Sequence, residues 1–123
     1  MKLYGDADVK REFVEVELFT TLWDALGLND DDLKELQEFL LENPAAGAVI
    51  QGTGGARKVR IALQDKGKSG GGRVIYVDFT MSERIYLLMV YPKSKQGTLL
   101  DQQKKAVRYL IGEIRKEEQQ HGK

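Results

Sequence analysis

The sequence predicts an α+β fold: an antiparallel sheet with an N-terminal helical pair and a C-terminal helix. Three observations predict it. Two apolar stripes at helical spacing follow one another between Leu18 and Leu40. Three strand-like runs then succeed each other between Arg57 and Tyr91, and a last helical stripe runs from Leu100 to Ile114.

Taken in order, Arg11-Glu12-Phe13-Val14-Glu15-Val16 alternates and reads as a short strand. Leu18, Phe19, Leu22, Trp23 and Leu26 recur at helical spacing, and Gly27 is placed to end that helix. Asn29 can cap the next helix, whose positive end is favoured by Asp30 to Asp32. Its stripe is Leu33, Leu36, Phe39 and Leu40; Asn43-Pro44 stops it, because the residue before proline resists helical geometry. Two helices with so short a link suggest an α-hairpin laid against a sheet. Ala45 to Ala56 reads as a loop. In Arg57 to Leu63 the period is two, with Val59, Ile61 and Leu63 facing one way and Lys58, Arg60 and Ala62 the other. Arg73 to Phe79 and Ile85 to Tyr91 are the next strands, joined by a hairpin around Met81-Ser82-Glu83. The second is apolar on both parities, which predicts a central strand covered on both faces, and Pro92 ends it. Thr98-Leu99-Leu100-Asp101 has capping-box spacing ahead of a helix with the stripe Leu100, Val107, Leu110, Ile111 and Ile114. Lys116 to Lys123 lacks an apolar anchor and is expected to fray. The order is β-α-α-β-β-β-α.

The 123 residues, with no internal repeat, suit a single domain over 1–123. There is no cysteine, which excludes disulfides, thiol nucleophiles and cysteine–zinc sites. The one histidine, His121, sits in a polar tail; Ser-His-Asp chemistry, a histidine-pair ribonuclease and most catalytic zinc sites go with it. No metal and no cofactor are expected. Met1 to Asp6 holds no apolar run of the kind a signal peptide or membrane span needs, so the expectation is a cytoplasmic protein without membrane association.

The formal net charge of zero conceals two opposed segments. From Asp30 to Glu42 six acids (Asp30, Asp31, Asp32, Glu35, Glu38 and Glu42) stand against Lys34, a balance of −5. From Arg57 to Arg73 six cations (Arg57, Lys58, Arg60, Lys66, Lys68 and Arg73) stand against Asp65, a balance of +5. The basic segment suits a polyanion and coincides with the glycine-rich part of the chain. Gly67-Lys68-Ser69 is not a phosphate loop, because Ala62 stands where that motif needs its first glycine and a strand follows rather than a helix. Gly52-Thr53-Gly54-Gly55 is not a dinucleotide fingerprint, because Arg57 stands in place of the third glycine. Both segments read as turns, and they flank the strand that carries Lys58 and Arg60. That strand face is too polar for a core and is open to solvent or ligand. Arg73 shares the parity of Ile75, Val77 and Phe79, so either a bulge near Gly71-Gly72 re-aims it or both faces are partly buried. Tyr91 and Lys93 stand where the central strand leaves the sheet.

In this order the residues resemble the HigB-like branch of the RelE toxin superfamily, whose compact α+β fold agrees with the elements above. The resemblance is carried by Glu42-Asn43-Pro44 with Gly47, Val49-Ile50-Gln51-Gly52-Thr53-Gly54-Gly55, and Arg57-Lys58-Val59-Arg60. It continues through Lys66-Gly67-Lys68-Ser69-Gly70-Gly71, Arg73-Val74-Ile75-Tyr76, Ile85-Tyr86-Leu87-Leu88, Val90-Tyr91, Lys93 and Gln103-Lys104-Lys105. It spans Leu33 to Lys105, and before Leu33 only the order of elements matches. The resemblance implies the toxin of a type II toxin–antitoxin system: an endoribonuclease that cuts messenger RNA on the ribosome and inhibits translation. It implies a cognate antitoxin of helix-turn-helix type as partner, with operator DNA reached only through that antitoxin. By position it assigns catalytic roles to Lys58, Arg60, Arg73, Tyr91 and Lys93, and RNA backbone contacts to Arg57, Lys66 and Lys68. In other members the tyrosine lies on the last helix, where Tyr109 is the counterpart.

The chemistry is compatible. A 2′-hydroxyl attacking its own phosphate needs a base, charge stabilisation at phosphorus and protonation of the leaving oxygen. Lysine is a base near neutral pH only where neighbouring cations lower its pKa from about 10.4. Lys58 or Lys93 is assigned proton transfer, and Arg60 and Arg73 the bidentate hold on phosphate. The same cations suit plain phosphate contact, so a non-catalytic ribosome- or RNA-binding protein, or one kept only as an antitoxin partner, stays open beside the enzyme.

Overall fold

The computed structural model describes residues 10–63 and 70–121. Lys66 and Lys68 lie outside the described residues. The elements are β1 (Glu12–Glu15), α1 (Glu17–Ala25), α2 (Asp30–Glu42), β2 (Ala48–Val49), β3 (Arg57–Ile61), β4 (Gly72–Phe79), β5 (Arg84–Pro92) and α3 (Asp101–His121). They form a five-stranded sheet in the order β1-β5-β4-β3-β2. The expected α+β arrangement is present: β2, β3, β4 and β5 are an antiparallel meander, and β1 joins the edge parallel to β5.

Local chemistry sets the helix ends. Asn29 accepts a hydrogen bond from the Asp32 amide at 2.9 Å, and the Asp32 carboxylate accepts one from the Asn29 amide at 2.9 Å. This reciprocal box satisfies two amide donors that the first turn of α2 leaves open. Helix α3 starts differently from expectation. Its N-cap is Leu100, whose amide donates to Gln103 Oε1 at 2.9 Å, so the box spacing at Thr98–Asp101 is not the one used. The far end of α3 also departs from expectation: the helix persists to His121. Glu118 there accepts bonds from Arg84 and Tyr86, a polar anchor in place of an apolar one.

Apolar clusters lie on both faces of the sheet. Phe19, Trp23, Leu36 and Leu40 of the helical hairpin pack with Val59, Val74, Tyr76 and Leu87. Val107, Ile111 and Ile114 of α3 pack with Ile75, Val77, Leu88 and Met89 on the other face. Strand β5 is therefore covered on both sides, as its two apolar parities predict. Between Ile75↔Met89 and Tyr76↔Leu87 the register slips by one, leaving Leu88 as the extra residue. The bulge thus falls in the middle of β5 and not beside Gly71-Gly72.

The segment read as a loop from Ala45 to Ala56 contains β2 and two tight turns. At Gly47, with φ +78°, a Cβ atom would lie 2.0 Å from the Lys58 carbonyl oxygen, so only glycine lets this turn close against β3. The Tyr76 hydroxyl shares its proton between the carbonyls of Pro44 and Ala46, at 2.9 and 2.6 Å. In the second turn the buried Thr53 hydroxyl donates to the Ile50 carbonyl at 2.6 Å and accepts from the Ala56 amide at 3.1 Å.

Candidate functional site

Antiparallel partners directly opposite one another point to the same face of a sheet. In this register Arg60 stands opposite Arg73, and Arg73 opposite Tyr91. The three make a row across β3, β4 and β5, on the face that α3 covers. Lys58, opposite Ile75, shares that face two residues along β3. Arg73 follows its strand parity, and both faces at its position are enclosed: the residue is 7% exposed. Of the alternatives left open by the sequence, burial of both faces is the one found. Lys58 is half-buried and Arg60 exposed. Lys93 is exposed just past the strand end, its amide extending the ladder to the Gly71 carbonyl at 3.0 Å.

Among the described residues, no carboxylate pairs with the row. The described ion pairs are Arg11–Asp78, Arg84–Glu12, Arg84–Glu118 and Lys116–Glu113. None includes Lys58, Arg60, Arg73 or Lys93. Among the described residues, the buried Arg73 guanidinium donates only to the carbonyl of the adjacent Gly72, at 3.0 Å. Beside it the Tyr91 hydroxyl is buried without a hydrogen-bond partner among the described residues. Burial raises the pKa of that phenol, and the Arg73 charge opposes the rise. A buried cation lacking a counter-charge and a buried hydroxyl lacking a partner are both costly, and one anionic oxygen between them would relieve both.

Two candidates do not join the row. Arg57, named above as an RNA contact, stands opposite Tyr76 on the hairpin face. Its guanidinium donates to the carbonyls of Ala45 and Gly47, at 3.0 and 2.7 Å, and so braces the turn before β2. Tyr109 is 71% exposed and stands away from the buried stripe of α3. Helix α3 adds cations to which the sequence alone assigns no role, although Lys104 is among the residues that carry the resemblance. Lys104 and Arg108 stand one turn apart beside Val107 and Ile111, and that spacing was the available signal.

A groove of about 490 Å³ lies elsewhere, between the helical hairpin and the edge of β3. Trp23, Leu36, Phe39 and Glu35 line it, and Arg60 borders it.

The family model described as "RelE toxin of RelE / RelB toxin-antitoxin system" matches residues 24–121. The chain belongs to the RelE toxin family. Two solved structures share its fold. A mutant of the E. coli toxin RelE in the free state is 16% identical, over 72% of this chain and 88% of that one, with a TM-score of 0.50. The intact E. coli RelBE toxin–antitoxin complex gives 18% identity over 67% of this chain and 95% of that one, also at 0.50. The family match begins at Asp24, which leaves β1 and most of α1 of this RelE-family chain outside it. Among the described residues, no helix of this RelE-family chain is long and apolar enough to cross a membrane.

Proposed function

We propose that this RelE-family chain is an endoribonuclease that cuts messenger RNA on the ribosome, of the HigB-like branch and acting as one domain. The observation that carries the reading is the row Arg60–Arg73–Tyr91, in which, among the described residues, a buried guanidinium without a counter-charge lies next to a buried hydroxyl without a partner. An RNA phosphate supplies what both lack. Arg73 holds the phosphate from within the sheet, and Arg60 reaches it from the exposed strand beside it. As the 2′-oxygen bonds to phosphorus its proton passes to Lys58 or Lys93. The bond from phosphorus to the 5′-oxygen breaks, and that oxygen takes up a proton from the other, protonated lysine. The products are a 2′,3′-cyclic phosphate and a free 5′-hydroxyl. The arginines stabilise the charge that grows on the phosphoryl oxygens. Tyr91 donates its hydroxyl proton to one of them. Lys66 and Lys68 grip RNA backbone.

The site lacks a histidine poised near neutral pH, so its acid–base strength is low. Alignment of the attacking hydroxyl can supply roughly 7–11 kcal/mol, and the ribosome's decoding site provides that alignment. The partner that restrains the chain is an antitoxin of helix-turn-helix type presenting acidic or amphipathic segments to the cationic face. The test is primer extension on one messenger, free and in translating ribosomes, at one salt concentration. Cleavage of the ribosome-bound messenger with negligible cutting of the free one is expected. Equal cutting of both removes the ribosome from the mechanism. Ribosome binding without cutting of either supports instead a protein that only holds RNA.

A further inference from the structure

Helix α3 lies along the cationic face in a defined direction. Its last turns are tied to the β4–β5 hairpin end, through Glu118 to Tyr86 and Arg84 and through Arg115, whose guanidinium lies 5.5 Å from the Phe79 ring centroid. Arg73 and Tyr91 stand at the opposite ends of those strands, and Leu99, just ahead of α3, is buried in the same cluster as Tyr91. The helix therefore runs from the Arg60–Arg73–Tyr91 row toward the hairpin. Lys104, Arg108 and Arg115 follow one another along one side of it, at i, i+4 and i+11. From Lys104 to Arg115 the rise is about 16 Å.

That side faces the glycine turn ahead of β3. A side chain at Gly54 would come within 3.6 Å of Ile111 and 3.9 Å of the Arg108 Cγ, and Arg115 donates to the Gly54 carbonyl at 3.4 Å. Gly52, Gly54 and Gly55 all have positive φ, and at Gly52 and Gly55 a Cβ would meet nothing within 4 Å. At Gly52 and Gly55 the turn is thus bare backbone, open to a ligand. Lys104 and Arg108 pair with no carboxylate among the described residues. On the solvent side of the same helix the arrangement differs, since Lys116 pairs with Glu113 at 3.3 Å.

We propose that Lys104 and Arg108, with the bare turn Gly52–Gly55, form a phosphate track that holds an RNA strand as it leaves the Arg60–Arg73–Tyr91 row. The track rests on the reading of this chain as an RNA-cutting protein and extends it by a second, non-reacting contact. Its chemistry is that of backbone phosphate, whether messenger or ribosomal.

The experiment compares three full-length proteins: wild type, the double variant Lys104→Gln/Arg108→Gln, and the control Lys105→Gln/Lys116→Gln. Both variants remove two positive charges from one helix and introduce a good helix former. Binding is read by fluorescence anisotropy of a labelled 2′-O-methyl oligoribonucleotide, which lacks the attacking hydroxyl, and by sedimentation with small ribosomal subunits, each between 50 and 200 mM salt. The track variant should lose about tenfold in affinity at low salt, and its log–log salt slope on the oligonucleotide should shrink by about 1.4, two single-strand contacts at about 0.7 each. The control should match wild type. A loss confined to the oligonucleotide assigns the track to messenger; a loss confined to the subunits assigns it to ribosomal RNA. Wild-type affinity and slope for the track variant in both arms, or an equal loss in the control, overturns the track while leaving the RNA-binding reading intact. Wild type that binds neither probe overturns both.

Discussion

A guanidinium enclosed at 7% exposure, with one carbonyl as its only described acceptor, is a poor choice for stability alone. Replacing Arg73 by methionine keeps most of the volume and removes a buried, unpaired charge. Arg73→Met should therefore raise the unfolding free energy by about 1 kcal/mol or more in urea titration. The same change should abolish growth arrest on induction, since the phosphate loses its inner ligand. A clear loss of stability would mean that the guanidinium has its partner within the fold, and the phosphate role would fall. Much of this site is legible in the sequence. The two-residue period of Arg57 to Leu63 places Lys58 and Arg60 together, and it also separates Arg57, whose parity is that of Val59. The contiguous run of charge hides that separation; the carbonyls of Ala45 and Gly47, to which Arg57 donates, come from a turn ten or more residues away. Arg73 is illegible for a different reason. Its parity is plain, but whether that face is open depends on α3, and no local signal says where α3 lies.

The helices and the meander are likewise legible, because spacing and caps are local signals. Strand β1 is only half so: its alternation marks it as a strand, but nothing nearby in sequence marks a parallel partner such as β5, 72 residues on at the Arg84–Glu12 contact. The end of α3 lacks apolar anchors, which predicts fraying, whereas a carboxylate holds it. Burial pushes the Glu118 carboxyl upward, but hydrogen bonds from Ser82, Tyr86 and Arg84 outweigh it, and the pKa ends below the usual 4.5. The Tyr86 phenol is pushed up to about 12, by burial and then by Glu118. A carboxyl lowered on folding contributes stability that is full above its unfolded pKa and is lost as pH falls through the folded value. Glu118→Gln should thus lower stability by about 1 kcal/mol at pH 7, a modest figure because the pair lies near the surface. The gap between wild type and variant should narrow as pH falls below about 4.5. Urea midpoints at pH 7, 5 and 3.5 measure it; a constant gap across that range would show that Glu118 acts by packing and not by charge.

Across the whole molecule, electrical neutrality is the sum of two unlike sides. Six of the acids ride on α2, over one face of the sheet, and Lys58, Arg60, Arg73, Lys104 and Arg108 stand on the other. A polyanion is repelled from the first and drawn to the second, so encounter is oriented before contact is made. The two apolar clusters share the strands between them, and neither can melt without exposing β4 and β5. Trp23, the one tryptophan, reports the hairpin side, while far-UV circular dichroism is weighted toward α3, a 21-residue helix. Their urea transitions at pH 7 should coincide in midpoint and slope. Separate midpoints would mean that the sheet does not couple its two faces. The parallel pairing of β1 with β5 also sets a timetable for synthesis. As the chain leaves the ribosome, β1 and the helical hairpin emerge first, yet the strand that β1 must join is among the last to appear. Nothing ahead of Arg84 can complete the layer that the hairpin packs on, so the nascent chain carries its first third as an unfinished half until the final strands arrive. The row of Arg60, Arg73 and Tyr91 is assembled in that same late step, so a chain stalled before β5 is made lacks it.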